Sequence, residues 1–276
     1  MQRQQCDQIC TELGAPIGSA RYYSLRFLAP DKRRALTALY AFEHEVMAIN
    51  AQCHERQVAW AKLNWWRAEI NAVFTGQPSH PITQALQHSI GFFSLPPQRF
   101  HNVLNAIESD ISTEQYATDT ELHPFFWRSG GEIEVLAATI LGYTHPDTLV
   151  YARNLGIGLQ ITHHMVMLRH HVNAGLVYLS AAKLQTHQVS DAELSRLTLT
   201  PGLRQVLADQ LDWAEQHFVT AEHALPKQDR NSQQPGLGMM RMQRALHKMI
   251  RSEHYRVLSH RIQLTPLYLL WLMVTL

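Results

Sequence analysis

The chain has 276 residues, and its 24 Lys and Arg nearly balance its 23 Asp and Glu, so the formal charge at pH 7 is only +1. Without a basic block, this balance argues against nucleic acid as a partner. Apolar residues make up 46% of the sequence, enough for a large core, and we expect one domain over residues 1–276. The three cysteines lack paired metal-ligand spacing and no apolar signal region opens the chain, which favours a reducing, cytoplasmic location.

Apolar residues recur at three- and four-residue steps along most of the chain, which is typical of helices with one buried face. In segment 33–49 these residues are Leu36, Leu39, Tyr40, Phe42 and Val46. The same spacing predicts further helices over 60–74, 82–93, 100–111, 133–141, 149–168, 203–224 and 239–258. The fold class that follows is an all-α, single-domain helical bundle with a central cavity between facing helices.

Two segments outside this pattern carry expectations of their own. The polar run 227–234 is typical of a mobile surface loop. Residues 264–276 form the most apolar stretch, but a bilayer-spanning helix takes roughly 20 residues. We therefore predict peripheral contact with the inner face of a membrane and no transmembrane segment.

Several blocks, in a fixed order, carry a resemblance to a known family. They are SARYYSLRFLAPDKRRALTALYAF (19–42), KLNWWRAEI (62–70), GQPSHPITQAL (76–86), ESD (108–110), GYTHPDTLVYARNLGIGLQIT (142–162), GLVYLS (175–180), QQPGLGMM (233–240) and RVLSHRIQLTPLYLLWL (256–272). Together they resemble the squalene/phytoene synthase family, most of all the bacterial presqualene diphosphate synthases. The resemblance implies the class I terpenoid synthase bundle of the trans-isoprenyl diphosphate synthase type. It also implies head-to-head joining of two prenyl diphosphates by a Mg²⁺ cluster held on two aspartate-rich motifs.

The chain departs from the family at both aspartate-rich motifs. The first falls on 41–51, where the three acidic positions and the arginine position read Met47, Ala48, Ala51 and His44. The second falls on 162–179, where the Asn and the three acidic positions read His163, Met167, His170 and His171. The basic positions expected to bind diphosphate read Asn173, Ala174 and Leu176. Because Mg²⁺ prefers oxygen ligands, we expect no catalytic residue, no metal and no cofactor, with Mg²⁺ relevant only if activity is retained.

Glu43 and Glu45 lie close to the first motif, but a helix turns by about 100° per residue, and we expect these carboxylates to point to another face. The replacing residues leave a second interpretation open. Gln160, His163 or His164, Met167 and His171 share one helix face, opposite Met47 and His44. Imidazole and thioether groups suit copper or a haem iron, whereas the plainer interpretation is cavity-filling Met and hydrogen-bonded His.

A residual prenyl pocket is a further expectation. Tyr22, Tyr23 and Tyr40 match aromatic positions that line the prenyl cavity in relatives, although at helical spacing they fit a core equally well. His44, Gln160 and His163 complete the predicted pocket.

Three functions follow from these observations. The first is a family member that has lost prenyl transfer and binds an isoprenoid or other lipid or a protein partner, by analogy with a family-like assembly factor of mitochondrial complex I. The second is an active farnesyl diphosphate farnesyltransferase that makes presqualene diphosphate or squalene. The third is a soft-metal or haem binding protein.

Overall fold

The structure is a computed structural model that describes residues 2–53, 55–259 and 262–276. Over these residues the secondary structure is helical and contains no strand, which confirms the predicted all-α class. The first helices are α1 (Gln2–Gly14), α2 (Ala20–Leu25), α3 (Pro30–Gln52), α4 (Arg56–Thr75), α5 (Pro81–Phe92) and α6 (Pro97–Ser112). The middle of the chain forms α7 (Asp119–Phe126), a π-helical turn (Trp127–Gly131), α8 (Glu132–Leu141), α9 (Asp147–Val166) and α10 (Leu168–Asn173). The remainder forms α11 (Ala181–Thr186), α12 (Asp191–Ser195), α13 (Pro201–Ala224), α14 (Gln234–Ser252) and α15 (Pro266–Val274), with short 3-10 turns at Lys227–Asp229 and Arg256–Leu258.

Helix α3 lies at the centre of the bundle. Its residues 35–43 are all buried, and it packs against α1, α4, α5, α6 and α8. A helix that is buried on every side needs neighbours all round, which explains why its apolar residues are not confined to one stripe. Phe42 anchors this core through edge contacts with Trp66 and Phe100, whose ring centroids lie 5.7 and 5.6 Å away.

The second central helix is α9, which packs against α8, α13 and the π-helical turn. Two glycines bring its backbone onto that turn. A Cβ atom on Gly130 would lie 2.5 Å from the Gly156 carbonyl oxygen, a distance that no real side chain occupies. Glycine is required at this crossing because nothing larger leaves room for the two backbones.

Two predicted helix ends differ from the structure. Segment 239–258 is not one helix, because α14 ends at Ser252 and the positive φ angles of His254 (52°) and Tyr255 (61°) turn the chain away. Segment 149–168 is also interrupted, since α9 ends at Val166 and Met167 (φ −87°, ψ 7°) starts a new direction for α10. Both breaks fall at residues without Pro or Gly, so the sequence gives no local signal for them.

The polar run 227–234, predicted as a mobile surface loop, lies mostly at the surface, but two of its side chains anchor it. Asp229 is buried, and its carboxylate accepts hydrogen bonds from the backbone N–H groups of Thr144 and His145 and from the hydroxyls of Thr144 and Thr148, at 2.6 to 3.0 Å. Gln233 is also buried and donates to the Gly142 carbonyl at 2.9 Å. The polar run therefore ties the α8–α9 turn to the start of α14.

The C-terminal helix α15 packs Leu269, Leu272 and Met273 against α14 and α2. Its opposite face leaves Leu267 and Trp271 exposed. In the described residues, no helix has both the length and the hydrophobicity that crossing a membrane requires.

Candidate functional site

An open cavity of about 520 Å³ lies between α3 on one side and α9 and α10 on the other. All six positions that the family resemblance matches to metal-binding carboxylates line it, namely Met47, Ala48, Ala51, Met167, His170 and His171. His44, Gln160 and His163 of the predicted pocket line it as well. The space between the two degenerate motifs is therefore open and is not packed solid.

Helix periodicity explains how these residues meet. On α3, positions 44, 47, 48 and 51 fall on one face at steps of three and four, and on α9 positions 156, 159, 160 and 163 do the same. The break at Met167 then redirects the chain so that His170 and His171 of α10 still border the cavity.

A buried ion pair forms part of the cavity wall. The guanidinium of Arg21, on α2, donates to the Glu43 carboxylate on α3, and Gln160 Nε2 on α9 donates to the other Glu43 oxygen at 2.6 Å. Only 5% of the Glu43 side chain is exposed, against 26% for Arg21. The expectation that Glu43 points to another face is wrong, because Glu43 precedes Met47 by four residues and so shares its face. Its charge is nevertheless already paired.

Glu134, on α8, is a second buried carboxyl group in the wall. Burial raises its pKa from 4.5 to about 7, a shift that Arg21 opposes and Glu43 reinforces. The Tyr40 hydroxyl donates to Glu134 at 3.5 Å, and the Arg21 guanidinium lies 4.1 Å above the Tyr40 ring centroid. Near pH 7, Glu134 is therefore divided between its neutral and charged forms.

Four histidines stand at the far side of the cavity. The His164 ring lies 4.8 Å from that of His171 and 4.0 Å from that of Tyr178, centroid to centroid. Burial lowers the pKa of His171 to about 3, and repulsion by His163 and His170 adds to the effect. Burial also lowers the pKa of His164 well below its ordinary value, with repulsion by His171 and His163 adding to it. The side chain of His163 is exposed to the open cavity, but desolvation by the surrounding walls lowers its pKa to about 4, as do the charges of Arg21, His44 and His170. These three imidazoles are neutral at pH 7.

Several polar atoms of this wall lack partners. Among the described residues, nothing hydrogen-bonds to Gln160 Oε1, to either ring nitrogen of His164 or to Nδ1 of His171, although all four atoms are buried. Buried polar atoms are nearly always paired, so unpaired ones beside an open cavity are suited to hydrogen-bonding with a ligand.

The cavity does not fit a magnesium cluster. Thioethers, methyl groups and imidazoles occupy the positions of the expected oxygen ligands. Of the three carboxyl groups in the lining, Glu43 is paired with Arg21, Glu134 is partly protonated, and Glu12, on α1, accepts a hydrogen bond from Gln8. Across residues 2–53, 55–259 and 262–276, no three His, Cys, Asp or Glu side chains are grouped so that they could hold a metal ion. The soft-metal and haem alternative, which rests on His and Met side chains, stays a prediction.

The three tyrosines of the predicted pocket lie elsewhere. Tyr22 lines a different cleft, Tyr23 packs against the apolar cluster of α15, and Tyr40 is buried beneath Arg21. Arg21 and Glu134 contribute to the cavity wall instead. The positions of Tyr22 and Tyr23 could not be predicted because a helix as short as α2 has too few turns for its buried face to be identified from sequence. The position of Arg21 could not be predicted because its partner Glu43 is distant in the chain.

Comparisons with known proteins agree with this architecture. The family model described as squalene/phytoene synthase matches residues 16–268. A 15-cis-phytoene synthase of Synechocystis sp. is 22% identical, over 97% of this chain and 83% of its own length. Phytoene synthase 2 of Solanum lycopersicum, a chloroplastic protein, is also 22% identical, over 93% of this chain and 84% of its own.

Solved structures show the same fold. A dehydrosqualene synthase in complex with a ligand superposes with a TM-score of 0.83 at 17% identity, covering 99% of this chain and 96% of that one. A squalene synthase from Alicyclobacillus acidocaldarius gives 0.72 at 21% identity, covering 92% and 95%.

Proposed function

Since the chain belongs to the squalene/phytoene synthase family, we propose that it has lost head-to-head prenyl transfer and uses the family's cavity to bind an uncharged isoprenoid lipid. The observation that carries the proposal is the open cavity lined by Met47, Ala48, Ala51, Met167, His170 and His171. An open cavity that carries none of the expected metal ligands fits binding without the metal-dependent step.

The charge of the cavity supports an uncharged ligand. The Arg21 guanidinium is paired with Glu43, and the imidazoles of His163, His164 and His171 are neutral at pH 7. Among the residues that the structure describes, the lining contains no lysine, and its one arginine is paired, so a diphosphate would meet no unpaired Arg or Lys side chain to offset its loss of hydration. A ligand hydroxyl, in contrast, can donate to Gln160 Oε1, and a hydroxyl or carbonyl oxygen can accept from a free imidazole N–H.

The rest of the wall suits an apolar chain. Leu13, Met47, Met167 and Met239 border the cavity, and thioether side chains adapt to irregular apolar ligands. We propose that the lipid tail lies among the methionines and that its polar head lies against α9 and α10.

The first test is catalytic. Purified protein is incubated with farnesyl or geranylgeranyl diphosphate and either Mg²⁺ or Mn²⁺, and release of diphosphate and C30 or C40 hydrocarbons are measured. We expect neither above a control without protein. Metal-dependent product formation would instead establish the alternative function, an active farnesyltransferase, which family membership alone favours.

The second test is a binding titration with farnesol and farnesyl diphosphate. We expect farnesol to bind at least as well as the diphosphate, without an effect of Mg²⁺. The Ala48→Trp variant should lose binding because the new ring fills the cavity, whereas Ala61→Trp, at an exposed position of α4, should bind normally. A clear Mg²⁺-dependent preference for the diphosphate would contradict the proposal.

A protein partner, an assembly role and membrane contact remain predictions. The exposed Leu267 and Trp271 on α15 are consistent with peripheral contact, and Trp271→Gln would be the variant to compare with the unmodified chain in vesicle flotation.

A further inference from the structure

A second cleft, of about 580 Å³, opens between α1, α2 and α3. It shares no lining residue with the cavity between α3 and α9. Its floor includes the buried Ala15 and Leu25, and three arginines, Arg26, Arg33 and Arg34, line it. We call it the arginine cleft.

The arginine cleft carries an excess of positive charge. Its single lining carboxylate, Asp7, is bound by Arg34 Nη2 at 2.8 Å, so three guanidinium groups face one carboxylate and two positive charges are left over. The Cys10 thiol adds no negative charge, because burial and the nearby Asp7 raise its pKa to about 12.

The guanidinium groups also have unused hydrogen-bonding capacity. Among the described residues, nothing accepts from the buried Arg34 Nε, and no hydrogen bond or ion pair involves the Arg33 side chain. Within the part of the chain that the structure describes, the Arg26 side chain donates only to the Tyr22 hydroxyl, at 3.2 Å. Guanidinium groups present donors in a planar fork that matches the oxygens of a phosphate group.

The location of the arginines on α3 is unfavourable for the unliganded protein. Arg33 and Arg34 follow closely on Pro30, the first residue of α3, where the helix dipole repels cations, and the exposed Asp31 offsets only part of this charge. A bound anion would relieve both the repulsion among the arginines and their repulsion by the helix end.

We propose that the arginine cleft binds the phosphate group of an organic ligand, with Arg26, Arg33 and Arg34 holding the phosphate oxygens and the apolar part of the ligand resting on Ala15 and Leu25. Two sources supply this chemistry: the headgroup of an anionic phospholipid and a soluble phosphate ester.

The experiment measures binding of the full chain by calorimetry to diphosphate and glycerol 3-phosphate, and by flotation to vesicles of phosphatidylglycerol and of phosphatidylcholine. Binding of the free anions assigns a soluble ester, and binding to phosphatidylglycerol vesicles alone assigns a lipid headgroup. The double variant Arg26→Gln/Arg33→Gln should weaken whichever binding is seen by about tenfold or more, the effect expected for lost charge-assisted hydrogen bonds.

Two controls make the result specific. Arg196→Gln/Arg204→Gln removes two exposed arginines elsewhere and should leave binding unchanged, and circular dichroism should show that both double variants remain folded. Ala48→Trp, which fills the other cavity, should also leave phosphate binding intact. This variant therefore allows the phosphate proposal and the lipid proposal to be refuted independently of each other. No binding to any probe, or an equal loss in the two double variants, would overturn the proposal.

Discussion

Replacing Glu134 by Gln should make the protein more stable at alkaline pH while changing little under acidic conditions. Burial raises the pKa of this carboxyl group from 4.5 to about 7, so the folded state favours its protonated form. The stabilisation that the protonated carboxyl group provides is therefore fully present below pH 4.5 and is lost as the pH rises through about 7. Each tenfold change in proton affinity is worth about 1.4 kcal/mol, which gives a total loss of about 3 kcal/mol, most of it between pH 5 and pH 8.

The assay is urea unfolding of Glu134→Gln and the unmodified chain at pH 5, 6, 7 and 8. The variant's advantage in free energy of unfolding should grow by about 2.5 kcal/mol over this range. Buried histidines also titrate, but both proteins contain them, so their effect cancels in the difference. Glu114→Gln, at a position whose side chain is 89% exposed, is the matched control and should show no such growth. If the free energies of unfolding of Glu134→Gln and of the unmodified chain change in parallel with pH, the carboxyl group of Glu134 does not have the raised pKa that the reasoning requires.

Three further outcomes are expected. His171→Gln should lose less stability than the unmodified chain on acidification, by about 2 kcal/mol at pH 5, because burial holds the pKa of His171 near 3 and its stabilising neutral state is lost as the pH falls below 6.5; equal losses in urea unfolding would contradict this. Asp229→Ala should unfold at clearly lower urea concentration and Asp229→Asn at an intermediate one, since the amide keeps some of the hydrogen bonds from Thr144, His145 and Thr148. Restoring aspartate at positions 47, 48, 51, 167 and 171 should yield a less stable protein with little synthase activity, whose melting temperature Mg²⁺ partly restores; efficient presqualene diphosphate formation would show that the loss of function is shallow.

The residues that line the cavity from α3 and α9 could be predicted because they depend on helix periodicity alone. Once segments 33–49 and 149–168 are read as helices, the faces that carry Met47 and His163 follow from spacing. Helix periodicity also explains the position of Glu43, since this residue lies one turn before Met47 and faces the cavity with it.

What could not be predicted depends on contacts between distant segments. The pairing of Arg21 with Glu43 spans 22 residues, and that of Gln160 with Glu43 spans 117. Nothing in the local sequence orients α2, and Tyr22 and Tyr23 lie outside the cavity that the family resemblance predicts for them. Composition does not reveal the burial of Asp229, because a residue of a polar run can be buried when backbone N–H groups of another turn donate hydrogen bonds to its side chain.

The glycine crossing between the π-helical turn and α9 also determines where the cavity can deform. Because the backbones of Gly130 and Gly156 touch directly, no side chain between them can change rotamer, and the two elements must move as one rigid unit. Changes in cavity width must come from the other walls, where Met167 and Met239 can change rotamer without moving a helix. Ligands of different girth should therefore be accommodated by side-chain rearrangement on a fixed frame, with the mobility concentrated in the methionine methyl groups.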